Sequence, residues 1–279
     1  MLAPGTRLYL CGRVMVERDD RLVTGSALGG RQGRLLLAFL GTRPTHPVAK
    51  SQLISAIWGS DTPPSVDTAI NALVSRLRAA MRRVGTPKPY GIETNAGTYR
   101  FDAASAWIDV EQCLSAIDRA EGAARAEARC EAWASANVAA TIAKQPFLPG
   151  EDRPWVVLQR EHLQRVWRRA LLVLSAVSVS NGEPELGIQH ASEALSAEPF
   201  DELACQALML AHAAAGNRAE ALRVFANCRR LFRDDLGSEP SGQTAAVFLR
   251  ILRSEDRSTE GTTASLAKQP AKGRRGPVT

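Results

Sequence analysis

The feature that most limits what this chain can become is one amphipathic stretch between Thr62 and Val84. Val66, Ile70, Leu73, Leu77, Met81 and Val84 recur every three or four residues, the spacing that gathers side chains onto one stripe of an α-helix. Thr62 reads as the N-cap and Pro63 as the first helical residue, since a hydroxyl satisfies a free N–H there and proline has none to lose. The opposite face carries Thr68, Asn71, Ser75, Arg78 and Arg82, with no acid among them. Hydrogen-bonding and cationic side chains opposite a buried stripe are what a helix needs to meet a polyanion edge-on.

The flanking segments complete a small α+β unit. From Arg7 to Gly30 apolar and polar residues alternate, with Leu8, Leu10, Val14, Val16, Leu22 and Val23 as the apolar members and Asp19-Asp20 between two runs, the pattern of short antiparallel strands. Helical spacing begins near Arg31 in RQGRLLLAFL and stops between Gly41 and Pro44. A second helix is expected over Lys50 to Trp58, with Gly59 as its C-terminal cap. Beyond Gly85, GIETNAGTYRF forms two alternating runs around Asn95-Ala96-Gly97, a hairpin with Tyr99 and Phe101 facing the core. Strands, three helices and a closing hairpin make a winged helix-turn-helix over residues 1–101.

Charge separates this unit from the rest of the chain. Of a net charge of +6 over 279 residues, residues 1–101 hold 14 Lys+Arg against 6 Asp+Glu, a surplus of eight, while residues 102–279 hold 21 against 23. Positive charge segregated onto one small domain is the footprint of a phosphate-backbone binder, because each neutralised phosphate releases condensed counterions. The plainer alternative is a basic surface kept for solubility.

After Phe101 the texture turns alanine-rich and helical, with helices expected at about Ile108 to Glu121, Ala123 to Ala140, Trp155 to Ser180, Pro184 to Ala197, Glu202 to Ala215, Arg218 to Asp235 and Gly242 to Arg253. An offset of 34 residues aligns Gly182 with Gly216, Gly187 with Ala221, Ile188 with Leu222, Ala191 with Phe225 and Ala194 with Cys228. That is the period of a tetratricopeptide repeat, and Pro199 falls where such a repeat ends its second helix. Residues 102–253 are therefore expected to be an all-α, tetratricopeptide-like domain. Residues 254–279 lack apolar periodicity and are expected to be a disordered tail whose basic end is Lys268, Lys272, Arg274 and Arg275.

Other chemistries find little purchase. Cys11, Cys113, Cys130, Cys205 and Cys228 are odd in number and never spaced Cys-x-x-Cys, so reduced, mostly buried thiols are expected. His46, His162, His190 and His212 show no ligand spacing, so no metal and no cofactor are expected. Gly25-Ser26-Ala27-Leu28-Gly29 has its serine one place off a nucleophile elbow, and Gly29 to Arg34 lacks the Lys and Ser/Thr of a nucleotide loop. An enzyme is not expected. Trp107, Trp133, Trp155 and Trp167 read as core of the helical domain. No apolar run nears the roughly 18 residues of a membrane span and the start has no leader pattern, so a cytoplasmic protein without membrane contact is expected.

The order GGRQGRLLLAFL, QLISAIWG and PPSVDTAINALVSRLRAAM resembles the OmpR-type DNA-binding half of the SARP family, the Streptomyces antibiotic regulatory proteins. RPWVVLQREHLQRVWRRALL, HAAAGNRAEALRVF and LFRDDLGSEPS are similar to that family's bacterial transcriptional activator domain. The resemblance covers about residues 6–253. It implies a transcriptional activator that binds direct repeats near promoters as a tandem dimer and recruits RNA polymerase, often for secondary-metabolite genes. Without a Gly-x-x-x-x-Gly-Lys-Ser/Thr motif the chain looks like the short form of the family, and with no receiver domain ahead of the winged helix, control by aspartate phosphorylation is not expected. Two departures stand out. Asn95-Ala96-Gly97-Thr98-Tyr99 replaces the family's Arg-Gly-x-Gly-Tyr wing, removing a minor-groove arginine, and Ala49-Lys50 opens the second helix where relatives place Ser or Asp, leaving it to fray or to be capped by Ser51.

On this reading double-stranded DNA is the ligand. Thr68, Asn71, Ser75 and Arg78 are the base-reading candidates, because Asn pairs bidentately with adenine, Arg with guanine, and Thr or Ser with either edge. Arg31 and Arg34 beside the first helix, Lys50 at the second, and Arg76, Arg82 and Arg83 on the third are the phosphate candidates. Spacing alone leaves open whether Arg78 and Arg82 read bases or grip phosphates. A protein-interaction scaffold, its repeats binding another protein and its basic domain binding no DNA, is the alternative.

Overall fold

A computed structural model describes residues 5–44, 46–86, 91–102 and 106–253. The tail expected over 254–279 lies outside these residues. The chain divides into two compact units, Met1–Val173 and Leu174–Thr279.

The first unit opens with three short strands, β1 (Thr6–Tyr9), β2 (Met15–Arg18) and β3 (Arg21–Thr24), paired antiparallel with Leu8 opposite Val16 and Val16 opposite Val23. Those residues turn to the core, while alternation leaves Leu22 facing solvent. Asp19 and Asp20 make the connecting turn with φ of 47° and 63°, a left-handed conformation that aspartate tolerates better than most residues. A 3-10 turn over Gly25–Leu28 then leads into α1 (Gly30–Gly41), whose LLLAFLG run is buried throughout. A Cβ at Gly33 would lie 1.8 Å from the carbonyl oxygen of Leu28, so only glycine lets the helix sit this close to the turn before it.

Next come β4 (Val48–Ala49), α2 (Lys50–Trp58) and α3 (Val66–Arg83), followed by the hairpin of β5 (Ile92–Asn95) and β6 (Thr98–Phe101). The three strands form a sheet in the order β4-β6-β5. Tyr99 and Phe101 are buried, as the alternation requires. The start of α2 corrects the expected cap. Ala49 is the N-cap, with no side-chain acceptor of its own, and Gln52 Oε1 accepts the Ala49 N–H at 3.0 Å. The start of α3 is corrected too. The helix begins at Val66 with Ser65 as N-cap, not at Thr62 and Pro63. Pro64 disfavours helical backbone at Pro63, and the Thr62 hydroxyl instead donates to the carbonyl of Gly59 at 3.2 Å.

A strand that alternation did not reveal, β7 (Ala106–Ile108), pairs parallel with β1 and completes the sheet order β3-β2-β1-β7. It leads directly into α4 (Asp109–Arg125), which packs on α5 (Arg129–Ala143). Asp109 joins helix to sheet: its buried carboxylate accepts the N–H groups of Leu10 at 2.7 Å, Cys11 at 2.8 Å and Val110 at 2.7 Å. Burial raises the Asp109 pKa against the opposing pull of those N–H groups. The helix break expected at Gly122 falls later, because the glycine sits in open space within α4 and the chain turns at Glu127, where φ is 57°. Trp133 is not core, as its side of α5 leaves it 49% exposed.

The long helix α6 (Pro154–Ser180) runs from the first unit into the second, which it supplies from Leu174 onward. There α7 (Pro184–Ala197), α8 (Glu202–Ala214), α9 (Arg218–Leu236) and α10 (Gly242–Arg253) pack as an antiparallel array. The 34-residue offset has a structural counterpart. Gly182 and Gly216 occupy equivalent left-handed turns, with φ of 79° and 76°, before α7 and α9. Gly187 lets α7 close on α6, where the Ser175 hydroxyl donates to its carbonyl at 2.9 Å. Cys205, Met209, Ala221, Cys228, Phe232 and Ile251 form the core of this tetratricopeptide-like unit. Burial pushes the Cys11, Cys113, Cys205 and Cys228 thiols upward, which keeps them protonated and unreactive, while Cys130 is exposed.

Candidate nucleic-acid interface

Helix α3 is anchored by Ile70, Leu73, Val74, Leu77, Ala80 and Met81, all buried, with Val84 buried just beyond its end. The sequence stripe is thereby extended by Val74 and Ala80, whereas Val66 at the first turn is half-buried. Thr68, Asn71 and Ser75 are exposed on the other side. At about 100° per residue they fall, with Arg82, within about 60° of arc. Arg76 and Arg83 flank that arc on one side and Arg78 on the other. Asp67 in the first turn and Arg82 and Arg83 in the last each oppose the helix dipole at their own end.

Two small residues beside the arc, between Thr68 and the flanking Arg83, carry no polar group to mark them. Ala72 is exposed and Ala79 half-buried on the same face. A methyl group there admits close approach and matches the thymine methyl. A helical projection of the segment would have found both.

The cations divide by engagement. Arg78 reaches the wing: its Nε and Nη2 donate to the carbonyl of Ile92 at 3.1 and 2.9 Å, and Nη2 also donates to Thr94 Oγ1 at 2.7 Å. Lys50 Nζ lies 2.7 Å from the Asp67 carboxylate, whose hydrogen bond raises the lysine's pKa. Arg31, at the first turn of α1, lies away from α3 in its bonding: its Nε and Nη2 bind both oxygens of Glu151 at 2.8 to 3.0 Å. The arginine side chain is 60% exposed but the carboxylate only 6%, so the pair anchors a buried charge. Arg76 and Arg83 are exposed, Arg34 is half-buried, and none of the three makes an ion pair among the described residues. The structure thus brings Thr68, Asn71, Ser75, Arg76, Arg82 and Arg83 onto one exposed surface, and ties Arg31 and Arg78 to other elements.

On the wing, Asn95 pairs with Thr98 around Ala96-Gly97, with φ of 44° and 79°. Arg100 and Glu93 pair across the hairpin, which leaves the tip polar and uncharged.

Elements of the first unit also brace the helices that precede α3. Arg153 Nη1 donates to the carbonyl of Trp58 at 2.7 Å and Trp155 Nε1 to that of Ala56 at 3.0 Å, closing the C-terminal turn of α2. The Trp155 ring meets Phe39 edge-on at 5.1 Å and Phe147 at 6.0 Å.

A winged helix-turn-helix presenting a polar, acid-poor helix face, followed by a helical repeat, defines the class. The model of the bacterial transcriptional activator domain matches residues 108–252, more than half of the chain, and that of the transcriptional regulatory protein C-terminal domain matches residues 27–101. The chain belongs to the bacterial transcriptional activator domain family, in the arrangement of the SARP-type regulators. It is 29% identical over 262 residues to the regulatory protein AfsR of Streptomyces coelicolor, and 27% identical over 255 residues to AfsR of Streptomyces griseus. These alignments cover 93% and 91% of this chain but 25% of either relative, so the chain spans about a quarter of their length. Its fold is that of Mycobacterium tuberculosis EmbR, solved in complex with a low-affinity phosphopeptide. The TM-score is 0.81 at 21% identity, over 95% of this chain and 72% of that one. No described helix is long and apolar enough to cross a membrane.

Proposed function

We propose that this chain is a sequence-specific, double-stranded-DNA-binding transcriptional activator of the cytoplasm, with residues 1–101 binding DNA and residues 102–253 acting on the transcription machinery. The observation that carries this reading is the exposed arc of α3. A duplex major groove admits one helix, and only side chains opposite the buried stripe can reach base edges. Thr68, Asn71 and Ser75, with Ala72, read bases. Arg34, Arg76, Arg82 and Arg83 hold phosphates. Lys50 joins them by exchanging Asp67 for a phosphate oxygen, a light exchange because exposed ion pairs contribute little. The carboxylate behind Arg31 is buried, so Arg31 stays with Glu151 and sets the placement of α1. Family membership supports the remaining parts: binding of two copies on direct repeats and recruitment of RNA polymerase. No catalytic role is proposed.

Fluorescence polarisation with random-sequence duplex DNA at several salt concentrations tests the reading. Five phosphate contacts per copy predict an affinity that falls with log salt at a slope of about −4 to −5. Binding that ignores salt, or no binding at low ionic strength, would favour the interaction scaffold and overturn the proposal.

A further inference from the structure

Resting on the reading that α3 enters a DNA groove, we propose that Arg78 is a positioning residue, locking the wing to the recognition helix, and reads no base. Its guanidinium has five N–H donors. Nη2 gives one to the carbonyl of Ile92 and one to Thr94 Oγ1, while Nε gives its own to Ile92. Bidentate recognition of guanine uses either the Nε and Nη2 edge or the Nη1 and Nη2 end, and both need Nη2. Neither fork is available while the wing contact stands.

Breaking the contact is unfavourable. Ile92 is fully buried, and β5 is the edge strand of the order β4-β6-β5, with β6 on one side only. Arg78 takes the place of a neighbouring strand at that carbonyl, and withdrawing it leaves a polar group without its charged partner. The second anchor, Thr94, stands two residues further toward the hairpin tip, so the arginine grips β5 along its length. Arg78 also lies at the edge of the reading arc, about 80° from Thr68 on a helical projection. The lock fixes the distance between the helix in the major groove and the wing beside it, so its loss loosens every contact by the same factor.

The test uses the full chain, a duplex selected by the wild-type protein from a random library, and every single-base-pair variant of that duplex. Arg78→Lys and Thr94→Val are measured beside Arg78→Ala, with thermal melts confirming that each folds. Arg78→Ala is expected to weaken all duplexes alike by about tenfold, the scale of one charge-assisted hydrogen bond. Thr94→Val should weaken them by a smaller common factor, and the double variant should lose less than the product of the two. Amide exchange of Ile92 to Asn95 should quicken in Arg78→Ala without DNA. Loss confined to one base pair, or unchanged exchange along β5, overturns the proposal. Failure of the wild-type chain to select any duplex defeats the DNA reading instead, while the exchange measurement still decides whether the lock exists.

Discussion

Replacing Trp155 by alanine should destabilise the winged helix itself, although the residue lies far beyond it in sequence. The indole donates to the carbonyl of Ala56 at 3.0 Å and meets Phe39 and Phe147 edge-on at 5.1 and 6.0 Å. The hydrogen bond is worth about 1 kcal/mol and each aromatic pair about 0.5 to 1.5 kcal/mol beyond its area. Together they come to roughly 3 kcal/mol, at the low end for a large aromatic truncated to alanine, as befits a half-buried ring. Trp155→Phe keeps one aromatic ring against Phe39 and Phe147 but loses the donor and the second ring of the indole, so it should cost about 1 to 2 kcal/mol, less than the alanine variant. Urea unfolding followed by circular dichroism gives the totals, and native-state hydrogen exchange locates them. Amides of α1 and α2 should lose as much protection as those of α6, since Arg153 and Trp155 close the last turn of α2 while Phe39 lies in α1. A cost below about 1 kcal/mol for Trp155→Ala, or a loss confined to α6, would refute the claim that these elements open together.

Asp109→Ala removes the acceptor of three buried N–H groups and should cost about 3 to 5 kcal/mol, measured by urea unfolding. Ala96→Asn relieves a left-handed alanine at the hairpin tip, where φ is 44°, and should add about 1 kcal/mol. By calorimetry that is a rise of about 2 to 4 °C in Tm. Lys50→Ala should shallow the salt slope of DNA binding by about one and weaken all sequences alike, as polarisation titrations can show. Finally, Arg229 and Arg233 hold the Glu239 carboxyl down at about 2, below its ordinary 4.5, through contacts of 2.7 and 2.6 Å. A depressed carboxylate stabilises the fold above the unfolded value and loses that contribution as pH falls through the folded one. The Glu239 titration by NMR should therefore move upward in Arg229→Gln, and the pH dependence of stability between about 4.5 and 2 should flatten.

What could be read in the sequence was what near neighbours or a fixed repeat spacing dictate. The stripe of α3 and the hairpin around Ala96-Gly97 are set by residues close in the chain, the echo between Gly182 and Gly216 by a constant offset of 34 residues, and each has its counterpart in the backbone. The start of α3 was missed although its cause was local, because Pro63 satisfies the rule for a first helical residue while Pro64 withdraws it. The strand β7 has three residues, too few for alternation to register, and exists through its parallel partner β1. The cations show the limit most clearly. Arg31, Arg76, Arg78 and Arg83 are equivalent as members of a basic domain, yet Glu151, 120 residues away, claims one and the wing another. A helical pattern tells which side of a rod faces outward, because that depends on neighbours three and four residues away. Which outward cation keeps its donors for a ligand depends on side chains that only the tertiary fold brings near, so the reading surface was legible as a face and its division of labour was not.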